Sequence, residues 1–495
     1  MNGTGRTSRK KQSKQHRRAN RSNSQQTVSG TVSKKQQAIL NAPVKLGDEV
    51  LVTIHGIGSS GEGVGRVDDF TVFVPFALPG ETVKVSINMV KKTYATGRLL
   101  ELVTMAPNRI DASCDLYGFC GGCQLQHITY EGQLSLKTQK VKDVIERIGH
   151  QNPDLVKPAL GPKEPWAYRN KMQMPVGGSK GDIQMGFYAM GSHDIVQGTN
   201  CPIQDEGNNI IAQACYQIAK EFDIEPYNEH TGKGVLRHII GRIGQSGWMV
   251  ILVTATEQLP HKEKWVEKLT ERIPQVETIV HNVNGKRTNV ILGPKNNILY
   301  GDGTITDHIK DLQFTLSPHS FFQVNPEQTT VLYDQALAYA DLKGDETVID
   351  AYCGTGTISL FLAHQAKHVI GIEIVEPAII NARENARNNG YDNTEFIVAD
   401  AAVEMPKLYK DGVRPDVIVF DPIRAGCKEE VLTSAAGMEP KRIVYVSCNP
   451  ATMARDIEIL THYGYELQEV QPVDMFPMTG HVEAVALLSR SKATQ

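Results

Sequence analysis

The chain has 495 residues, 40% hydrophobic and 22% charged, enough apolar material for several cores; at roughly 100–200 residues per domain that means about three. No window approaches the ~18 apolar residues of a membrane span and the N-terminus lacks the apolar core of a signal peptide, which excludes membrane and secreted classes and leads us to expect a cytoplasmic protein. The net charge of -3 is unevenly spread: before the first acidic residue, Asp48, lie Arg6, Arg9, Lys10, Lys11, Lys14, Arg17, Arg18, Arg21, Lys34 and Lys35, the asymmetry expected of a protein that meets a polyanion.

Residues 1–40 are rich in Ser, Gln, Asn, Lys and Arg, with too few aliphatic residues to offset the entropy of ordering, and read as a disordered basic arm or a solubilising tail. Residues 43–103 change to short alternating runs, DEVLVTIHGI, FTVFVPFAL, ETVKVSINMV and ATGRLLELV, separated by Gly and Pro. Period-two runs with such punctuation predict a small closed β-barrel. The stretch GEGVGRVDDFTVFVPFALPGETV resembles the TRAM domain, an OB-like module of RNA-modifying enzymes, and the resemblance implies that Lys91, Lys92 and Arg98 can face RNA phosphates. Scattered lysines on a barrel are also simply a solvated face.

Residues 104–310 mix a cysteine-bearing loop, a helix over 130–149 and strand-like runs such as NKMQMPVG and WMVILVTATE, which predicts an α+β middle domain. Eight cysteines in a reducing compartment point to metal ligands, catalytic thiols or core positions rather than disulfides. Cys114, Cys120 and Cys123 form CxxxxxCxxC, with Cys201 far downstream. Four thiolates with one close pair can hold zinc or an iron–sulfur cluster, and spacing alone favours zinc. The spacing does not fit the CxxxCxxC of a radical enzyme. Cys215, Cys353 and Cys427 read as core or local cysteines.

From about residue 330 strands alternate with helices: TVIDAY, HVIGIEI, TEFIVAD, DVIVFDP and RIVYVSCN, with helical stretches such as PAIINARENARNNG and TMARDIEILTHYG between. Such alternation requires right-handed crossovers and a mostly parallel, doubly wound sheet, so residues 311–495 form an α/β domain. ELQEVQPVDMF and HVEAVALLSR have no helix between them and predict an antiparallel edge pair, the arrangement that resembles a class I methyltransferase sheet. VIDAYCGTGTISL sets a strand before a Gly-rich turn, with Asp350, Gly354 and Gly356 at the turn, and the next strand ends in Glu373, about twenty residues on, placed for ribose hydroxyls. This suits either a dinucleotide or S-adenosylmethionine. DPIRAG, residues 421–426, resembles the DPPRxG motif of RNA uracil-5-methyltransferases and shifts the balance to the latter. Asp421 also fits a helix N-cap, as does Asp400, which stands where adenine would approach.

YVSCNPATMARD sets Cys448 at the end of the fifth strand, and DMFPMTGHVEAVALL carries His481 and Glu483, two apart on the final strand and so on one face. These stretches closely resemble the TrmA/RumA family of S-adenosylmethionine-dependent RNA uracil-5-methyltransferases, and the likeness runs from the barrel to the last strand. It implies that Cys448 is the nucleophile, Glu483 the base, and that Gln323 of SFFQVN, Tyr352, Glu373 and Asp421 contact cofactor or target. Ile423 and Met478 depart from the usual pattern, where Pro and a polar residue are common. With the barrel and the cysteines, the resemblance implies the 23S ribosomal RNA branch, a 4Fe–4S cluster on Cys114, Cys120, Cys123 and Cys201 rather than zinc, and a monomer. A transfer RNA uracil-5-methyltransferase and a non-catalytic RNA-binding assembly factor are the rival expectations.

Overall fold

Valines and isoleucines alternating with polar residues close the first folded stretch into a barrel of five strands: β1 (Glu49–Ile57), β2 (Gly63–Val67), β3 (Phe70–Val74), β4 (Thr82–Val90) and β5 (Tyr94–Thr104). The computed structural model describes residues 42–58 and 60–491, so the basic arm lies outside the described residues. Val52, Ile54, Val72, Val74, Val83, Val85 and Ile87 fill the barrel, whose order β1-β2-β3-β5-β4 is closed by β4 on β1 and contains one parallel pair, β3 with β5. Closure removes the free sheet edges.

The cysteine loop follows, then α1 (Tyr130–Arg147). A seven-stranded sheet comes next, from β6 (Lys171–Ser179), β7 (Asp182–Tyr188), β8 (Ile195–Gln197), β9 (Leu236–Ile243), β10 (Trp248–Thr254), β11 (Val276–Val283) and β12 (Lys295–Tyr300), in the order β12-β11-β10-β9-β6-β7-β8. On one face α2 (Glu206–Glu221) and α3 (Lys262–Arg272) bring Ile211, Ile218, Trp265 and Leu269 against Val250 and Leu252. Met249, Ile251 and Val253 of the same strand point the other way, into the core shared with the C-terminal half. Burial on both faces is why this strand reads as an unbroken apolar run.

The C-terminal half opens with a hairpin, β13 (Ile305–Ile309) and β14 (Leu312–Leu316), and α4 (Pro326–Ala340). The strands β15 (Thr347–Asp350), β16 (His368–Glu373), β17 (Thr394–Val398), β18 (Val417–Phe420) and β19 (Arg442–Ser447) are parallel. Between them run α5 (Thr357–Ala363), α6 (Glu376–Asn388), α7 (Ala401–Lys410) and α8 (Glu429–Gly437), with α9 (Pro450–His462) after β19. The closing pair, β20 (Tyr465–Val473) and β21 (Glu483–Arg490), is antiparallel, and the order is β17-β16-β15-β18-β19-β21-β20. This is the expected doubly wound sheet with an antiparallel end. The later strand, β21, inserts inside β20.

The helix α1 and the chain after it, grouped with the middle segment by sequence, lie on this C-terminal sheet. Val141, Ile145 and Val156 share the core of Ile418, Phe420 and Ile457. Residues 156–160 run along the outside of β20, Lys157 N donating to Val470 O at 2.9 Å and Leu160 N to Pro472 O at 3.0 Å, so the sheet edge is covered. No helix among the described residues is long and apolar enough to cross a membrane.

Candidate active site

The strand order reverses between β15 and β18, and ligands of open α/β sheets bind in the crevice at the carboxyl ends of such strands. Asp350 ends β15 fully buried; Ser359 Oγ donates to its Oδ2 at 2.6 Å, while Oδ1 has no hydrogen-bond partner among the described residues. Burial pushes this carboxyl up to about 6. An orphaned buried acceptor beside a glycine turn is a group that a ligand's donor can satisfy. The turn needs its glycines: Gly354 (φ +55°) borders open space, and at Gly356 (φ +81°) a Cβ would stand 3.1 Å from that of Ala382. Glu373 ends β16, oriented by the amide of Val375 at 2.9 Å. Tyr352 turns toward Cys427 and Asp400, and burial with the nearby Cys427 thiol raises its phenol. Asp400 does cap a helix, accepting from Ala402 N at 2.9 Å, and pairs with Lys428 at 3.0 Å. Asp421 does not, because the N-cap of α8 is Lys428.

Asp421 directly follows β18 and lies within reach of the charges of Glu483 and Asp350, its carboxyl raised well above the ordinary range by burial and then by those two. The register of β19 on β21 pairs Ser447 with Ala484, which sets the next residues, Cys448 and Glu483, side by side at the strand ends. Burial pushes Glu483 up to about 7 while Arg424 pulls the other way. Cys448 is raised by burial and then by Glu483 and Asp421, with Arg424 again opposing. A local network fixes the turn that carries Cys448: Ser447 Oγ donates to Asn449 O at 3.0 Å, Asn449 caps α9, and Asn449 Nδ2 donates to Arg424 O at 2.9 Å. The DPIRAG loop is clamped in turn, since Asp456 Oδ2 accepts from Cys427 N at 2.7 Å and Arg455 donates to Ala425 O at 3.0 Å.

Gln323 and Tyr333 belong to the same neighbourhood. Tyr333 is buried on α4, its hydroxyl 3.1 Å from Thr357 Oγ1, and its phenol is raised by burial and by Asp421, with Glu483 and Gln323 close by. His481 is not on the final strand, which begins at Glu483; it precedes it, its amide bound to Thr479 Oγ1 at 3.2 Å. The two therefore part company. Glu483 is buried, whereas His481 lines an adjoining cleft, where burial and the cations Arg424, Lys140, Lys137 and Arg169 push its ring down to about 4 and leave it neutral at pH 7.

That cleft, about 530 Å³, also receives Cys114, Cys120, Cys123 and Cys201. All four are free thiols, and burial pushes Cys123 up to about 12, helped by the charges of the other three. Among the described residues no group of three or more His, Cys, Asp or Glu side chains is set to hold a metal ion. Cys215, Cys353 and Cys427 are buried in hydrophobic cores. Arg169, Lys171 and Arg424 line the same cleft and Phe321 stands 71% exposed at it, an electropositive groove with an aromatic face.

The loop that delivers Glu483, residues 474–480, is held from α1 and the cysteine loop. Lys137 Nζ reaches Asp474 Oδ1 at 2.5 Å and Phe476 O at 3.1 Å, and Tyr130 OH donates to Asp474 Oδ2 at 3.0 Å. Met478 takes the left-handed conformation (φ +67°), its amide on Gln133 Oε1 at 2.9 Å and its carbonyl accepting from Gln124 N at 2.9 Å. Sequence reasoning missed Lys137, Tyr333, Arg424 and Phe321. Arg424 and Phe321 stand inside quoted motifs, DPIRAG and SFFQVN; Lys137 and Tyr333 carry no local signal.

A reversing parallel sheet with a glycine turn, an acidic residue ending the second strand and an antiparallel last strand defines a class I S-adenosylmethionine-dependent methyltransferase. Residues 251–491 match the tRNA (uracil-5-)-methyltransferase family and residues 43–100 the TRAM domain. An uncharacterized RNA methyltransferase of Halalkalibacterium halodurans is 51% identical over 92% of this chain and 99% of its own, and one of Clostridium acetobutylicum is 48% identical over 90% and 98%. The crystal structure of Pyrococcus abyssi tRNA (uracil-54, C5)-methyltransferase in complex with S-adenosyl-L-homocysteine has a TM-score of 0.72 and 28% identity, covering 89% of this chain and 100% of that one. The chain belongs to the TrmA/RumA family of RNA uracil-5-methyltransferases and carries its TRAM domain. It is an S-adenosylmethionine-dependent RNA uracil-5-methyltransferase.

Proposed function

We propose that this protein methylates carbon 5 of a uridine in 23S ribosomal RNA, with Cys448 as nucleophile and Glu483 as base. The observation that carries this reading is the adjacency of the two on neighbouring strands, with Glu483 poised near 7. Carbon 5 of uracil is too weak a nucleophile to take a methyl group unaided. The Cys448 thiolate adds to carbon 6 and the ring becomes an enolate whose carbon 5 can attack. S-adenosylmethionine supplies an electrophilic sulfonium methyl, and Asp350, Tyr352, Glu373, Asp421 and Gln323 are the residues assigned to hold it and the target. Glu483 then takes the proton from carbon 5, the ring double bond re-forms, and the Cys448 thiolate leaves. Reaching a half-buried thiol at a strand end requires the uridine to leave its stack, and Phe321 offers it a face.

The reading includes a 4Fe–4S cluster on Cys114, Cys120, Cys123 and Cys201, with zinc as the alternative; what supports it is the shared cleft of the four cysteines and the family resemblance, not a ready-made metal geometry. Its role would be structural or RNA-positioning, because the polar mechanism moves no unpaired electrons. RNA contacts are assigned to the barrel, the middle segment and the basic arm of a monomeric, cytoplasmic enzyme. A transfer RNA substrate is the second reading, favoured by the Pyrococcus abyssi enzyme's likeness over 89% of this chain. A likeness of that extent takes in more than the C-terminal half of this chain. Tritium release from carbon-5-labelled uridine in 23S RNA and in transfer RNA tests both, and mapping 5-methyluridine in each RNA from cells with and without the gene locates the target. Release from neither would place the target uridine in another RNA.

A further inference from the structure

The barrel carries aromatic rings on its outer face. Val72, Val74 and Ala95 point inward, so the alternation turns Phe73, Tyr94 and Thr96 outward, where a solvated strand face calls for polar residues. The rings of Phe73 and Tyr94 meet edge to face, 5.4 Å apart, and with Phe76, Met89 and Met190 they line a second cleft of about 510 Å³. An apolar recess of this size lies within the range of small-ligand pockets.

Two further observations say what it holds. The cleft adjoins the cleft of the thiols, which His481 and Arg424 also line: Phe76 packs edge to face on Tyr117 at 5.4 Å, Tyr117 lines the cleft of the thiols, and Gln124, which lines the outer one, accepts from Gly480 N just before His481. Its rim is basic, because the turn from β4 to β5, tied by Lys91 N to Tyr94 O at 2.8 Å, sets the exposed Lys91 and Lys92 beside Tyr94. Glu62, oriented by the amide of Ser60 at 3.0 Å, adds an acceptor to the lining.

We propose that this cleft is a second base-binding subsite, in which an unpaired nucleobase close to the target uridine stacks on Tyr94 and Phe73 while its phosphates meet Lys91 and Lys92. The proposal rests on the reading of the chain as an enzyme acting on RNA. Ring faces admit any base, and Glu62 favours one with an exocyclic amine over uracil. The basic rim and the continuity with the cleft of the thiols, itself lined by Arg169, Lys171 and Arg424, select a nucleic acid over an apolar peptide.

The test uses the full-length enzyme, a single-stranded RNA containing the methylated uridine, and a set of the same RNA with one abasic residue at each neighbouring position. Phe73→Ala/Tyr94→Ala should weaken RNA binding roughly fivefold or more, leaving S-adenosylmethionine binding and thermal unfolding unchanged. Tyr94→Phe should restore binding to within about twofold, since stacking needs the ring and not its hydroxyl. One abasic position should reproduce the loss with the parent enzyme and make the double variant silent, and Lys91→Ala/Lys92→Ala should flatten the salt dependence of binding. Parent-like binding by the double variant, or a penalty that no abasic position removes, overturns the subsite. Intact binding and methylation of naked RNA with lost association to ribosomal particles also overturns it, assigning the cleft to a protein. A parent enzyme that methylates no RNA overturns the underlying reading instead.

Discussion

Lys137 and Asp474, 337 residues apart in the chain, form an ion pair of 2.5 Å with side chains 1% and 0% exposed. Burial pulls the Lys137 ammonium below its ordinary value despite Asp474. Tyr130 OH and the Phe476 amide complete the coordination of the carboxylate, so the pair pins α1 to the loop that leads into Glu483.

Lys137→Met leaves a buried carboxylate unpaired and should cost about 3–5 kcal/mol of stability in urea unfolding. Lys137→Met/Asp474→Leu should recover most of that loss, since no charge is then stranded. A loss under 1 kcal/mol in the single variant would mean that water reaches Asp474.

Cys448→Ala should abolish methylation with S-adenosylmethionine affinity nearly intact, because the role proposed for the thiol is on the uracil and not on the cofactor. Cys448→Ser should fail equally, a hydroxyl being a poorer nucleophile near neutral pH. Turnover by either variant, read as tritium release, removes the nucleophile assignment.

Glu483→Gln should still add to RNA and transfer the methyl group but not release it, so a slow-migrating protein–RNA band should persist on a denaturing gel. The parent's release rate should rise with pH up to about 7, as Glu483 loses its proton, and then level. Normal release by the variant would move the base elsewhere, with His481 next in line.

The same group predicts a stability effect. Folding raises the Glu483 carboxyl from 4.5 to about 7, so its favourable contribution is complete below 4.5 and is lost as pH rises through 7. At pH 8 Glu483→Gln should therefore be more stable than the parent by as much as ~3 kcal/mol, a gap that closes toward pH 5. Calorimetry at the two pH values reads it.

Anaerobically purified protein should be brown, with about four irons per chain, and Ser at any of Cys114, Cys120, Cys123 or Cys201 should bleach it, whereas Cys215→Ser should not. Colourless protein with stoichiometric zinc would replace iron and keep the ligands. Full colour without Cys201 would remove the distant ligand.

The parallel strands were legible because each is apolar on both faces and ends in a turn, and the barrel because Val83, Val85 and Ile87 alternate with polar neighbours. Sequence indicated β20 and β21 as a pair but not that β21 lies inside, since side-chain pattern does not encode which neighbour a strand chooses. The sequence pattern places His481 on that strand because strand starts carry no signal of their own; the turn at Thr479 and Gly480 delays pairing until Glu483. Lys137 reads as an ordinary surface lysine on a helix, and its partner is visible only once the chain has folded across 337 residues.

The interior position of β21 bears on how the enzyme is made. Residues 483–490 leave the ribosome after β20, yet they pair with β19 on one side and β20 on the other. A nascent chain that already holds Cys448 thus has a gap in its sheet rather than a finished edge until Glu483 arrives. The proposed nucleophile, Cys448, and the proposed base, Glu483, therefore come into register in one step of assembly, and on that reading a chain lacking the last strand has neither a finished sheet nor a finished site.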